Sequence, residues 1–162
     1  MTQSPVVHGT FTIERSYAAP PARVFAAFAD PATKRRWLLG GLGSQVAEFT
    51  ADFRVGGRES SRFSFTGGPP GAPPSGTRMG NETVYLDIVQ NERIVFAYSM
   101  LVGDRRMSAS LATVELSAFE GGTRLVFTEQ GAFFDRNDGA GLRENGWREL
   151  LSALDAQLRS SA

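Results

Sequence analysis

Glu129 is the carboxylate whose position in a predicted strand most clearly suggests acid–base chemistry. It shares a strand face with Leu125 and Phe127, because alternate residues of a strand point to the same side. If that face is turned inward, burial raises the pKa of the Glu129 carboxyl and makes it a possible general acid or base. We favour the alternative in which Glu129 ends its strand and is exposed to solvent. It is therefore only a weak catalytic candidate.

Tyr85 and Tyr98 are the phenolic candidates, and both lie on predicted strands. A phenol on an apolar wall orients an oxygen atom of a bound ligand. A packed tyrosine with a satisfied hydroxyl is the alternative, and we favour it for both residues. Asp87 shares a predicted strand face with Tyr85, so the same question applies to it, with function as the less favoured answer.

Apolar and aromatic side chains supply the candidate wall of a ligand site. Trp37 and Trp147 either line a cavity or anchor helices to a sheet, and we favour anchoring for each. The sequence does not show which strand residues face inward, so the set includes both possibilities. The predicted ligand-binding residues are Trp37, Phe63, Tyr85, Tyr98, Met100, Met107, Glu129, Trp147 and Leu151.

The composition excludes several kinds of active site. The chain contains no cysteine, which rules out disulfides, thiolate nucleophiles and cysteine metal ligands. His8 is the only histidine, which removes Ser-His-Asp triads and histidine-rich zinc sites. We therefore predict no metal site and no cofactor.

The charge balance argues against a polyanionic partner. The 17 basic and 17 acidic residues give a net charge of zero, so we expect no nucleic-acid binding. The basic cluster at residues 34–36 follows a helix start and is interpreted as a solvated helix face. No apolar run has the length of a membrane span and no signal peptide is visible, so we expect no membrane insertion and a cytoplasmic location.

The elements that must position these residues are most clearly marked between residues 15 and 37. Pro20 and Pro21 end a strand because proline has no N–H to donate, and Pro21 suits the first position of a helix. Asp30 and Pro31 then end that helix and begin a second one, with Asp30 as its N-cap. The sequence therefore predicts a strand followed by two short helices.

The rest of the chain predicts strands and one long helix, which makes an α+β protein. Alternation and turn residues predict strands over residues 10–17, 46–53, 58–65, 81–89, 93–100, 107–119 and 123–129. The Gly- and Pro-rich residues 66–80 predict a mobile loop, and residues 130–141 a second loop. Residues 142–158 predict a helix whose apolar stripe is formed by Trp147, Leu150, Leu151, Leu154 and Leu158.

This order of elements resembles the helix-grip superfamily of Bet v 1 allergens, START lipid-transfer domains and polyketide cyclases. The closest resemblance is to domains like the C-terminal domain of the Hsp90 ATPase activator. The matching residues are 19–21, 24–25, 30–31, 37, 52–57, 80, 94–96, 122–125 and 146–147. The resemblance covers residues 11–158 and implies a seven-stranded, curved, antiparallel sheet around the long C-terminal helix, with a cavity between them. We expect one domain over residues 1–162, with a core of about residues 10–159.

Three functions follow from this resemblance. The leading one is a small-molecule binding protein, monomeric or weakly dimeric, that takes an apolar or amphipathic ligand between the sheet and the helix. The second is a polyketide cyclase- or hydratase-like enzyme that uses Glu129 or a tyrosine in the cavity. The third is an Hsp90-related co-chaperone or other interaction module, which predicts a filled interior and an exposed apolar patch.

Overall fold

The computed structural model describes residues 5–40, 45–67, 70, 73–135 and 138–160. Chain order begins with β1 (Val7–Tyr17), α1 (Pro21–Ala29) and α2 (Pro31–Gly40). It continues with β2 (Gln45–Ala51), β3 (Arg58–Ser64), β4 (Arg78–Val89), β5 (Arg93–Val102), β6 (Arg105–Phe119) and β7 (Gly122–Phe133), and it ends with α3 (Ala140–Ser160). The predicted order of elements is confirmed. The predicted loop over residues 66–80 is wrong at its end, because β4 begins at Arg78. Residues 68, 69, 71 and 72 lie outside the described residues, and the mobility of the loop stays a prediction.

The strands of the described residues form one antiparallel sheet in the order β1-β7-β6-β5-β4-β3-β2. Its register shifts between Val46 and Glu48, between Tyr85 and Asp87, and between Met100 and Leu101. Such bulges bend a strand and increase its twist, which accounts for the predicted curvature. The turn before β3 needs a backbone angle that glycine adopts without strain, and Gly56 has a φ of +81°.

The two short helices begin as their sequence predicts. Pro21 is the first residue of α1, and Pro31 is the first residue of α2. Asp30 caps α2, because its carboxylate accepts hydrogen bonds from both the backbone N–H and the hydroxyl of Thr33. α3 packs on these helices and on the sheet, and all five residues of its predicted stripe are buried. The Tyr17 hydroxyl ties β1 to α3 by donating to the Leu151 carbonyl over 2.9 Å.

Strand β7 is longer than predicted, and the expectation of a loop from residue 130 is wrong at its start. The segment from Gln130 to Phe133 pairs with β1 on one side and β6 on the other. Hydrogen bonding to two neighbours outweighs the turn preference of Gly131. That glycine is required for space, since a Cβ atom there would lie 2.7 Å from the Phe133 ring.

We expect two glycine-to-alanine substitutions to change stability in opposite directions. Gly131→Ala should lower the free energy of unfolding by about 1–3 kcal/mol, because the added methyl group overpacks the contact with Phe133. Gly146→Ala should raise it by about 0.5–1 kcal/mol, because Gly146 lies inside α3 with open space around its Cβ position. Urea unfolding of both variants and the parent measures the two differences. Equal effects of the same sign would contradict this explanation.

Candidate functional site

A cavity of about 570 Å³ lies between the sheet and the helices α2 and α3. This volume falls within the range of small-molecule sites. Its wall is formed mainly by apolar side chains from the inner faces of β3, β4 and β5 and from the first half of α3. The aromatic and methionine side chains in this wall are Phe63, Phe65, Met79, Phe96, Tyr98, Met100, Met107 and Trp147.

The structure brings five of the nine predicted ligand-binding residues together in this wall. These five are Phe63, Tyr98, Met100, Met107 and Trp147. The other four, which are Trp37, Tyr85, Glu129 and Leu151, do not line it. Tyr85 and Glu129 are nevertheless hydrogen-bonded to residues that do, namely Lys34 and Tyr98.

Trp37 and Leu151 have packing roles behind the cavity wall. The indole N–H of Trp37 donates to the Ala27 carbonyl over 2.9 Å, and its ring meets that of Phe28 edge-on at 5.0 Å. This arrangement anchors α2 to α1, whereas the anchoring favoured from the sequence was to the sheet. Leu151 is fully buried on the stripe of α3. Trp147 has both of the roles considered from the sequence. It lines the cavity, and it anchors α3 to the sheet, because its ring centre lies 4.2 Å from that of Phe127 in β7.

The Tyr98 hydroxyl lies at the centre of the first buried polar network. It donates to Glu129 Oε1 over 2.6 Å and accepts the indole N–H of Trp147 over 3.1 Å. Arg143 Nη1 donates to the same hydroxyl over 3.1 Å. One donor and two acceptor positions are therefore all used. Burial raises the pKa of Tyr98 well above its usual range, with Arg143 opposing the rise, so the phenol is neutral.

Glu129 is fully buried, so the favoured expectation of an exposed carboxylate is wrong. The cause is the extension of β7, which places Glu129 inside the strand instead of at its end. Ser110 donates to Oε2 over 2.8 Å, and Arg143 approaches the same oxygen at 3.4 Å. Burial raises the pKa of Glu129, and Arg143 and the hydrogen bonds from Tyr98 and Ser110 oppose the rise without cancelling it.

Arg143, which the sequence analysis missed, links the first network to the cavity wall. Its closest partner is Asp138 at 2.6 Å, and Nη2 also donates to the Ser108 hydroxyl over 2.9 Å. Its guanidinium group lies 5.3 Å from the centre of the Phe133 ring. The sequence did contain a sign that Arg143 is turned inward. Arg143 is four residues before Trp147 and therefore continues the line of the apolar stripe of α3 by one turn.

A second buried network joins α2 to the sheet through Lys34, Glu59 and Tyr85. Lys34 Nζ lies 2.7 Å from Glu59 Oε1 and donates to the Tyr85 hydroxyl over 3.0 Å. The Tyr85 hydroxyl in turn donates to Glu59 Oε1 over 2.7 Å. Lys34 and Glu59 both line the cavity. Tyr85 therefore has a satisfied hydroxyl, as favoured from the sequence.

The expectation that the basic cluster 34–36 is a solvated helix face is wrong for Lys34, which is 4% exposed. Lys34 lies three and four residues before Trp37 and Leu38, on the buried side of α2, whereas Arg35 and Arg36 are exposed. Burial lowers the pKa of Lys34, but its interactions with Glu59 and Tyr85 outweigh that effect and raise it overall. Lys34 is thus a charged ammonium group and not a neutral nucleophile.

Burial also governs the pKa of Tyr85, raising it to about 12. Asp87, the other residue considered on this strand, lies away from the cavity. The bulge between Tyr85 and Asp87 breaks the alternation that would have placed both on one face. Asp87 instead pairs with Arg93 at 2.6 Å, with both side chains about half exposed. It takes no part in the site.

Two uncharged polar side chains complete the inner face of β3 and β4. Ser61 and Asn81 are directly opposite each other in the register, and Asn81 lines the cavity. The Ser61 hydroxyl and the carboxamide oxygen of Asn81 are shielded from solvent, and neither has a hydrogen-bond partner among the described residues. Neither was selected from the sequence, where serine and asparagine gave no sign of being turned inward.

The described part of the chain contains no group of three or more His, Asp or Glu side chains arranged to hold a metal ion. None of its helices is long and apolar enough to cross a membrane.

A curved antiparallel sheet closed by a long C-terminal helix defines the class of helix-grip proteins. The family model for Activator of Hsp90 ATPase homolog 1-like protein matches residues 18–159. The chain therefore belongs to this family, as the resemblance in its sequence predicted. No curated protein matches the chain.

Solved structures from bacteria share the fold over nearly the whole length. The Mll3558 protein from Rhizobium loti is 53% identical, with a TM-score of 0.81 over 95% of this chain and 99% of that one. An uncharacterized protein from Rhizobium leguminosarum is 38% identical, with a TM-score of 0.87 over 99% of both chains. Protein CV1439 from Chromobacterium violaceum is 28% identical, with a TM-score of 0.72 over 92% of this chain and 96% of that one.

Proposed function

We propose that the protein binds an amphipathic small molecule in the cavity between the sheet and α3. The observation that carries this proposal is the 570 Å³ space itself, whose wall is mostly apolar and includes a few inward-facing polar groups. Ligand binding is favourable when it removes the apolar wall from contact with water, and polar groups fix the orientation of the ligand.

The charged groups at the wall support a ligand that is mainly neutral. Deep in the wall, Lys34 is paired with Glu59, and Arg143 is paired with Asp138 and Glu129. The other charged wall residues are the pair of Arg105 and Asp135, with Arg105 exposed, and the exposed Glu149. An ionic ligand group deep in the cavity would therefore have to compete with existing ion pairs. The cytoplasmic location and the monomeric or weakly dimeric state expected from the sequence stay predictions.

Binding of the neutral dye N-phenyl-1-naphthylamine tests the proposal. We expect its fluorescence to rise on addition of the protein, and Met100→Trp to weaken binding at least tenfold, because Met100 lines the cavity and the indole would occupy part of it. Titration of dye with protein gives both dissociation constants. Native mass spectrometry of protein purified from its own host would identify a natural ligand directly.

Leu86→Trp is the matched control for this experiment. Leu86 is 49% exposed on the outer face of β4, so an indole there should leave dye binding unchanged. Thermal unfolding of each variant checks that it is folded. No dye binding by the parent protein, or equal binding by folded Met100→Trp and the parent, would refute the proposal.

A second candidate, a cyclase- or hydratase-like enzyme, has one observation in its favour. Tyr98 lines the cavity, and its hydroxyl donates a hydrogen bond to the buried Glu129 carboxylate. Glu129 itself does not line the cavity, so a reaction would have to use Tyr98 as the group that touches substrate. The co-chaperone alternative gains no comparable support, because an interaction module does not require an internal cavity.

A further inference from the structure

We infer that the inner face of β3 and β4 holds a subsite for the hydroxyl group of a neutral alcohol or phenol. This inference rests on the proposed function and adds the chemical class of the ligand. The subsite is formed by the Asn81 carboxamide, which lines the cavity. The Ser61 hydroxyl lies on the same face of the sheet, because the two residues are directly paired in the register.

The first step is that both groups are buried without a protein partner. Ser61 is fully buried, and neither its hydroxyl nor the Asn81 oxygen bonds to any described residue, including each other. A buried polar atom without a partner costs free energy, so native proteins supply one in most cases. Asn81 lines the cavity, as do Glu59 and Phe63, the neighbours of Ser61 on the same face of β3. Ser61 itself does not line the cavity, so a molecule in the cavity is placed to supply the missing hydrogen bond of Asn81.

The second step is the match between these groups and a hydroxyl. The Asn81 carbonyl accepts a hydrogen bond, whereas the Ser61 hydroxyl both donates and accepts. An alcohol or phenol can donate a hydrogen bond to the Asn81 carbonyl oxygen. An ether lacks the donor, and a carboxylate lacks it as well when ionised.

The third step concerns charge next to the subsite. Glu59 lies two residues from Ser61 on the same strand face, and its carboxylate is offset by Lys34 at 2.7 Å. The Lys34 ammonium group has three N–H donors, and it uses two of them in hydrogen bonds to Glu59 and Tyr85. The pair therefore presents no net charge to the subsite. This favours an uncharged polar group over an anion or a cation.

Three probes with the same ring system separate these possibilities by equilibrium dialysis at pH 7. They are 2-naphthol, 2-methoxynaphthalene and naphthalene-2-carboxylate. We expect the parent protein to bind 2-naphthol about fivefold or more tightly than either of the others, as the gain of one buried hydrogen bond implies. In Asn81→Leu the preference over 2-methoxynaphthalene should fall to about one.

Two further variants keep the test independent of folding defects. Asn81→Asp retains an acceptor at the same position and should retain the preference for 2-naphthol over 2-methoxynaphthalene. Asn145→Leu is the matched control, because Asn145 also lines the cavity but is exposed on α3, and its preference should equal that of the parent. Thermal unfolding confirms that each variant is folded before its preference is compared.

The outcomes distinguish this inference from the proposed function. If the dye binds in the cavity but 2-naphthol has no advantage, or if the advantage survives in folded Asn81→Leu, the hydroxyl subsite is wrong and the cavity proposal stands. If the carboxylate binds most tightly, the subsite is also wrong. If neither the dye nor any naphthalene probe binds to the parent protein, both proposals fail.

Discussion

Lys34→Met is expected to lower the free energy of unfolding by about 3–5 kcal/mol, the usual effect of removing one partner from a buried ion pair. Lys34 and Glu59 are each about 4% exposed, and their charged atoms are 2.7 Å apart. Methionine fills much of the space of the lysine side chain but gives Glu59 no compensating charge. Among the hydrogen bonds from described residues, the carboxylate then keeps the one from Tyr85.

An exposed ion pair of the same length provides the control for Lys34→Met. Arg54 and Asp52 are also 2.7 Å apart, but both side chains are more than half exposed. Arg54→Met should therefore change the free energy of unfolding by less than about 1 kcal/mol. Urea unfolding at pH 7 measures both variants. A loss in Lys34→Met no larger than that in Arg54→Met would show that burial does not strengthen this pair.

Removing both charges tests whether the loss comes from an uncompensated carboxylate. Lys34→Met combined with Glu59→Leu should recover most of the stability lost in Lys34→Met alone, because two apolar groups replace the whole pair. The Tyr85 hydroxyl then loses both partners, so recovery should be incomplete. A double variant less stable than Lys34→Met would instead indicate that packing around the pair, and not its charge, is decisive.

The sequence predicted the fold well because its clearest signals are backbone signals. Pro21 begins α1 and Asp30 caps α2 as expected, and the apolar stripe of α3 is buried in full. Proline geometry, capping and apolar spacing are local properties that neighbouring elements reinforce. The end of β7 was predicted wrongly because pairing with two other strands is not a local property.

The candidate site was predicted only in part, and the errors share one physical cause. Lys34 and Glu129 were assigned to solvent, and Glu59 and Arg143 were not selected at all. Lys34, Glu59 and Glu129 are buried, and Arg143 is 10% exposed, in two networks. A charge becomes favourable inside a protein only when its partner is present. Those partners come from elements far apart in sequence, and spacing along one element does not reveal them. The position of Lys34 and Arg143 on apolar helix faces was the one available sign.

Arg143→Met is the other variant for which we expect a large loss, about 3–5 kcal/mol at pH 8, because it leaves two buried carboxylates without their counter-charge. Arg143 lies 2.6 Å from Asp138 and 3.4 Å from Glu129, and Glu129 is fully buried. Tyr98 and Ser110 still donate to Glu129 in the variant, but these neutral donors do not replace the charge of a guanidinium group.

The loss in Arg143→Met should grow as the pH rises. Burial already raises the pKa of Glu129 above its ordinary value of 4.5, and Arg143 opposes that rise. Without Arg143 the folded-state pKa of Glu129 moves further upward. A group whose pKa is raised by folding contributes its full stability below the unfolded-state pKa and loses it as the pH passes the folded-state pKa. The variant should therefore be closest to the parent near pH 4.5 and fall behind it toward pH 8.

Urea unfolding of the parent and Arg143→Met between pH 4.5 and pH 8 measures this slope. Adding Glu129→Gln to Arg143→Met should remove most of the extra pH dependence, because the neutral amide does not titrate. Arg159→Met is the control on the same helix, since Arg159 is exposed and pairs with Asp155 at 3.0 Å near the end of α3. It should show a small, nearly pH-independent change. A pH slope in Arg143→Met that persists after Glu129→Gln would contradict the titration of Glu129 as its source.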